Sequence, residues 1–182
     1  MLAGEARELL GAGEAGLRDL LLAYWRNPSD RQFFAKAALQ PYGQWLADAG
    51  IEPLDRVPAG GDNRCRFCGG APQLSIHEKS ADPDGASRSL LCATCLTRWP
   101  FRRVVCAWCG EDDERKLGYF HSAVFDHLRI EACDTCKHYL KGVDLTRLGV
   151  AVPIVDEVAS APLDAWAGEH GYAKIELNLV GL

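Results

Sequence analysis

Short alternating runs of apolar and polar residues dominate the middle of this chain. Leu74 and Ile76 alternate with polar neighbours in "QLSIHE", and so do Leu117 and Tyr119 in "KLGYFH". Leu128, Ile130 and Ala132 do the same in "HLRIEA". A period of two places alternate side chains on one face, so each run predicts a strand. Either side of this region the period lengthens. Leu10, Leu17, Leu21 and Tyr24 form a helical stripe, weakened by Gly11, Gly13 and Gly16. Ser29 followed by Gln32 resembles a capping box for a helix through Phe33, Phe34, Ala37 and Ala38. Pro41 opens a further short helix, "PYGQWLADA", which stops at Gly50. Near the end, Val155, Val158, Leu163, Trp166 and Ala167 suit a helix docked on the central region, with Pro162 limiting or kinking it.

These patterns divide the chain into a helical segment at 1–50 and a Pro/Gly-rich linker at 51–63. A central region follows at 64–142, then a helical tail at 143–182. The expected class is α+β.

Cysteine spacing changes the picture most. All eight cysteines fall in four C-x-x-C pairs: Cys65 and Cys68, Cys92 and Cys95, Cys106 and Cys109, Cys133 and Cys136. Adding 41 to the first four positions gives the last four. Phe67 maps to Trp108, Gly69 to Gly110 and Thr94 to Thr135 under the same shift. The central region is therefore a duplicated unit, 64–104 and 105–142. Two thiolates two residues apart bind one ion from a tight turn, and a second such turn completes a tetrahedral four-cysteine site. The glycine after each first pair suits positive φ in that turn.

Redox dithiols would need each pair at a helix start, whereas these flanks read as strands. Disulfides would need an oxidising compartment. The start "MLAGEARELL" lacks the basic and apolar regions of a secretory signal, and no apolar run reaches membrane-spanning length. A cytoplasmic setting is expected, with two metal ions, zinc or iron, each held by four cysteines. Pairing within each copy is simplest, although a crossed arrangement of outer and inner pairs also makes two sites. Four sulfurs close a site to substrate, which argues for a structural or electron-carrying role rather than hydrolysis. His138 lies two residues after Cys136, but four sulfurs already complete that site, and His77, His121, His127 and His170 show no ligand spacing.

Charge bears on partners. The chain carries a formal −5, with 25% charged and 48% hydrophobic residues. Residues 62–142 hold 12 basic and 11 acidic side chains. Eight thiolates and two divalent ions would bring that region to about −3. "TRWPFRR" (97–103) is a basic and aromatic cluster, but "EDDER" (111–115) lies beside it. The balance argues against nucleic acid and against anionic membranes.

The order C-x2-C-G, C-x2-C, C-x2-C-G, C-x2-C, then "CDTCKHYLK" and "DEVASAPLDAWAGEHGY", resembles the formate dehydrogenase accessory protein family (FdhE). The likeness covers about 62–182. It implies two tandem rubredoxin-like or zinc-ribbon lobes on small antiparallel sheets, with a C-terminal helix. It also implies a non-enzymatic cytoplasmic maturation factor. Such a factor binds the catalytic subunit of a molybdenum- or tungsten-dependent formate dehydrogenase. The eight cysteines are the metal residues the resemblance carries over, and Tyr139 and Lys141 are candidate client contacts, with packing beside the metal turn the favoured alternative for Tyr139. Typical members have a longer helical region before the first pair, so this chain resembles a shortened form. The alternatives are a rubredoxin-like electron carrier and a nucleic-acid-binding zinc ribbon. No nucleophile–base motif or phosphate loop is evident.

Overall fold

A computed structural model of the chain describes residues 2–28, 32–51, 62–80 and 86–181. Among the described residues, three helices come first: α1 (Leu2–Gly11), α2 (Gly13–Arg26) and α3 (Phe33–Asp48). The strands that follow are β1 (Pro72–Lys79), β2 (Ala86–Cys92), β3 (Arg98–Pro100), β4 (Leu117–His121), β5 (Leu128–Cys133), β6 (His138–Asp144) and β7 (Ala173–Lys174). Between β6 and β7 lie α4 (Pro153–Ala159) and α5 (Ala161–Glu169). The class is α+β, as the patterning predicts.

The expected N-terminal stripe is broken. Gly13 has a φ of 62°, which ends α1 and restarts the chain as α2 with a new phase. Leu10 is left exposed and Tyr24 is fully buried. The two helices expected around Pro41 are one. Pro41 lies inside α3 on its exposed side, while Ala35, Lys36, Gln40, Gly43 and Leu46 bury one continuous face. A proline on the wet side loses a hydrogen bond where water can replace it, so packing carries the helix through. Its N-cap is Gln32 without a side-chain bond. Ser29 of the expected capping box lies outside the described residues, as does most of the expected linker.

All three predicted strands form, as β1, β4 and β5. Each repeat builds an antiparallel unit: β3-β2-β1 in the first, β4-β5-β6 in the second. The two units do not stand apart. Residues 74–77 of β1 pair in parallel with residues 141–144 of β6, and the result is one sheet in the order β3-β2-β1-β6-β5-β4. β7 pairs in parallel with the start of β6.

Both faces of this sheet are covered at its centre, which explains why β1 and β6 are buried without interruption over most of their length. One face carries Leu74, Ile76, Leu91, Ile130 and Val143, and α5 lays Leu163 and Ala167 on it. Burial of each such aliphatic side chain stabilises the fold by about 1.5–3 kcal/mol. The other face carries Leu90, Trp99 and Leu140 and continues into the first cysteine cluster. In place of one C-terminal helix there are two, separated at Ser160, with Pro162 in the first turn of α5 where its missing N–H costs nothing.

Candidate metal centre

Each cysteine pair sits in a turn next to a strand. In the first repeat the Gly69 amide donates to the Cys65 carbonyl (2.8 Å) and the Cys65 amide to the Gly70 carbonyl (2.9 Å). In the second, Gly110 donates to Cys106 (3.1 Å) and Cys106 to Glu111 (2.8 Å). Gly69 and Gly110 have φ of 77° and 79°, the left-handed conformation expected of them. The second pairs use the same turn without glycine. Leu96 and Lys137, again 41 residues apart, stand at φ 57° and 56°. Non-glycine residues enter this region at a conformational cost that the surrounding structure must offset. The 41-residue register contained this equivalence, but neither residue type announced it.

These turns gather the sulfurs within each copy. Cys65, Cys68, Cys92 and Cys95 form one cluster and Cys106, Cys109, Cys133 and Cys136 the other, all sulfurs of a cluster lying within 4.8 Å. Cys65 and Cys95 are 3.6 Å apart and Cys68 and Cys92 3.4 Å; the matching distances in the second cluster are both 3.7 Å. A tetrahedral zinc site with bonds of about 2.3 Å needs sulfur–sulfur edges of about 3.8 Å. A disulfide needs about 2.05 Å. The donor set and its spacing fit a metal ion, so both clusters could hold one. The Thr94 amide points at Cys92 Sγ (3.3 Å) and the Trp108 amide at Cys106 Sγ (3.4 Å), a dipole arrangement that favours thiolate. Burial works the other way: it holds the Cys92 thiol well above its ordinary pKa and pushes Cys106 up to about 11. Protons therefore leave these thiols when a cation takes their place.

The two clusters differ in their surroundings. The first is roofed by the N-terminal helices. Gln40 donates to the Ala93 carbonyl (2.8 Å), and Tyr24 Oη lies 3.4 Å from Thr94 Oγ1. Gly43 is close enough to the site that a Cβ there would stand 3.3 Å from Cys95 Cβ. All four of its cysteines are buried, whereas Cys109 of the second cluster is exposed and Cys136 half-buried. Thr135, the equivalent of Thr94, faces outward and donates to Glu111 (2.6 Å). His138 stacks on Trp108 with centroids 5.0 Å apart, and its Nδ1 donates to the Cys136 carbonyl (2.8 Å), so the histidine packs rather than joining the sulfurs.

Tyr139 and Lys141, expected as client contacts, are both inside. They are 4% and 0% exposed. Tyr139 donates to Asp164 (2.8 Å), and Lys141 Nζ reaches the other Asp164 oxygen (2.6 Å), the Glu157 carboxylate (3.3 Å) and the Glu157 carbonyl. Lys174 bonds the same two carboxylates, and Asn178 donates to Glu157 (2.6 Å). Their alternate positions on β6 point them at α4 and α5, so they clamp the tail to the sheet and cannot present themselves to a partner.

A second buried cluster lies at the seam between the repeats, and sequence reasoning missed it. Glu131 on β5 is 2.6 Å from Arg88 of β2 and 2.6 Å from His77 of β1, and 3.0 Å from Arg129. Burial alone would raise the Glu131 pKa, but Arg88, His77 and Arg129 outweigh it and hold the carboxyl well below the usual range. The available signal was polar residues at interior strand positions; their meeting from three strands, β1, β2 and β5, was not in the local pattern.

Residues 104–180 match the family model described as FdhE, C-terminal domain. Over that stretch the chain is similar to the FdhE family. It is 40% identical over 119 residues to Protein FdhE homolog of Aquifex aeolicus, an alignment covering 65% of this chain and 42% of that one. With Protein FdhE homolog of Pseudomonas putida it shares 30% identity over 152 residues, covering 81% of this chain and 47% of the relative. The crystal structure of the FdhE protein from Pseudomonas aeruginosa superposes with a TM-score of 0.70 at 27% identity, over 98% of this chain and 63% of that one. The chain thus spans about half the length of the curated relatives it matches. No helix among the described residues is long and apolar enough to cross a membrane.

Proposed function

We propose that this chain is a non-catalytic accessory protein that binds the catalytic subunit of a molybdenum- or tungsten-dependent formate dehydrogenase during its maturation in the cytoplasm. The match of residues 104–180 to the FdhE C-terminal domain carries this reading. Cys65, Cys68, Cys92 and Cys95 hold one metal ion and Cys106, Cys109, Cys133 and Cys136 the other, with zinc favoured over ferrous iron by intrinsic affinity. The ions shape a docking platform: segment 1–50 roofs the first lobe (64–104), and segment 143–182 backs the sheet it shares with the second (105–142). Affinity purification from cells making formate dehydrogenase tests the role. Enrichment of the dehydrogenase catalytic subunit is expected, and its absence removes the assignment.

One observation favours a second reading, a rubredoxin-like electron carrier. Cys109 is exposed, which would bring a bound iron close to solvent and to a redox partner. Metal analysis with an absorption spectrum separates the two. Two zinc ions without visible bands eliminate the carrier, and iron that cycles reversibly supports it.

A further inference from the structure

The N-terminal helices are seated on the ligand-bearing turn of the first cluster itself. Ala93 and Thr94, the two residues between Cys92 and Cys95, are both buried. Gln40 of α3 donates to the Ala93 carbonyl (2.8 Å), and Tyr24 Oη of α2 lies 3.4 Å from Thr94 Oγ1. Gly43 brings α3 against the next ligand: a Cβ there would stand 3.3 Å from Cys95 Cβ and 3.2 Å from the Trp25 ring. Trp25 in turn packs on the core that contains Cys65, Cys68, Cys92 and Cys95. α1 is tied to the same unit, because the Phe34 amide donates to Glu5 (2.9 Å). The remaining anchor is Lys36, which reaches Glu176 (3.1 Å) and the Leu177 carbonyl in the tail.

The shape of that turn depends on the ion. Across the site Cys92 faces Cys68 at 3.4 Å and Cys95 faces Cys65 at 3.6 Å. A cation bonded to all four sulfurs joins the two turns rigidly. Directly after Cys95 the chain holds Leu96 at φ 57°, a conformation that a leucine keeps only under outside constraint. Without the ion, the Cys92–Cys95 turn loses its bonds to the Cys65–Cys68 turn, and backbone contacts such as Ala93 to the Ala71 carbonyl (3.0 Å) must carry that strain. From these contacts we infer that seating of the helical segment is gated by the metal ion of the first cluster. With the ion bound, the turn is fixed and α2 and α3 stay docked on it. When the ion leaves, the turn relaxes and the helices lift away from Cys68 and Cys92. The coupling is reciprocal, so docked helices tighten metal binding by the factor by which metal favours docking. The second cluster has no part in the gate, since Thr135, the equivalent of Thr94, bonds Glu111 of its own lobe.

Hydrogen exchange read by mass spectrometry tests the gate on the full chain loaded with zinc. In Cys68→Ser, residues 36–46 should exchange about tenfold faster than in wild type. The seam residues 74–77 and 141–144 should stay protected, and Cys109→Ser should match wild type over 36–46. Loss of protection at the seam as well would make the effect global unfolding and overturn the gate. The reciprocal arm leaves all four ligands in place. Gly43→Leu, which pushes α3 off Cys95, should weaken zinc binding about tenfold in chelator competition, measured in the Cys109→Ser background to isolate the first cluster. Gln44→Leu, on the exposed side of α3, should leave the affinity unchanged. Released helices with unaltered affinity in Gly43→Leu overturn the inference. The inference rests on the metal reading of the first cluster and not on the dehydrogenase partner. A first cluster that takes up no zinc removes that reading and the gate with it. Zinc bound there, with residues 36–46 equally protected before and after its removal, removes the gate alone.

Discussion

Cys68 and Cys109 are equivalent residues 41 positions apart, yet Cys68 is 6% exposed and Cys109 is open to solvent. The difference comes from what covers each lobe. α2 and α3 close over the first cluster, and no helix does so for Cys109 among the described residues.

Metal should therefore leave the second cluster first. With a colorimetric chelator in excess, release from the loaded protein should be biphasic, with one equivalent per phase. Cys109→Ser should abolish the fast phase, and Cys68→Ser the slow one. In limited alkylation read by mass spectrometry, Cys109 should be labelled ahead of all four first-cluster cysteines. A single phase with uniform labelling would show that burial does not govern exchange.

Cys133→Ser should bind one metal equivalent rather than two and melt at a lower temperature, since forming a thiolate site is coupled to folding. Unchanged stoichiometry by elemental analysis would contradict the assignment of Cys133 to the second site.

Lys141→Met removes a fully buried ammonium and leaves Glu157 and Asp164 facing each other with Lys174 as their remaining cation. Breaking a buried pair from one side costs about 3–5 kcal/mol. Denaturant titration should show that loss with metal content still at two equivalents. A cost near zero would mean that Lys174 alone suffices.

Gly142 pairs with Ser75 across the seam, and a Cβ there would come within 2.6 Å of Glu131 Oε1 and 3.0 Å of Ser75 Oγ. Gly142→Ala should destabilise by about 1–3 kcal/mol, as overpacking does. Gly168→Ala, which lies in α5 and meets nothing within 4 Å, is the control and should not destabilise in the same titration, gaining at most about 1 kcal/mol from helix propensity.

The Glu131 pKa is depressed in the folded state, so its contribution is complete above the ordinary carboxylate range and declines as pH falls through that range toward the folded value. Glu131→Gln should be clearly less stable than wild type at neutral pH. The gap should narrow below about pH 4. Urea titrations at several pH values, with metal content checked at each, would show it; a gap that widens on acidification would reverse the sign.

Local pattern carried much of this protein. Alternation marked β1, β4 and β5, and the 41-residue register of the cysteines made pairing within each copy the simplest reading and placed the left-handed glycines. Such features depend on residues close in sequence, or on a repeat that any reader of the chain can align. Strands β2, β3, β6 and β7 escaped because central, doubly buried strands lose alternation and edge strands of two or three residues never establish it. Lys141 misled for a related reason: a lysine near a surface turn is ordinarily exposed, and only the placement of Asp164 and Glu157 over β6 turned it inward, while Tyr139 packs as its alternative reading had it. Sequence by itself determined the chemistry of the two sites, because four thiols at that spacing can close on one ion wherever the turns lie. Tertiary structure alone decided that the copies share one sheet, that helices bury one site and leave the other open, and that a carboxylate and two guanidinium groups meet at the seam. Burial and long-range pairing depend on which surfaces meet, and duplicated sequences do not specify different neighbours.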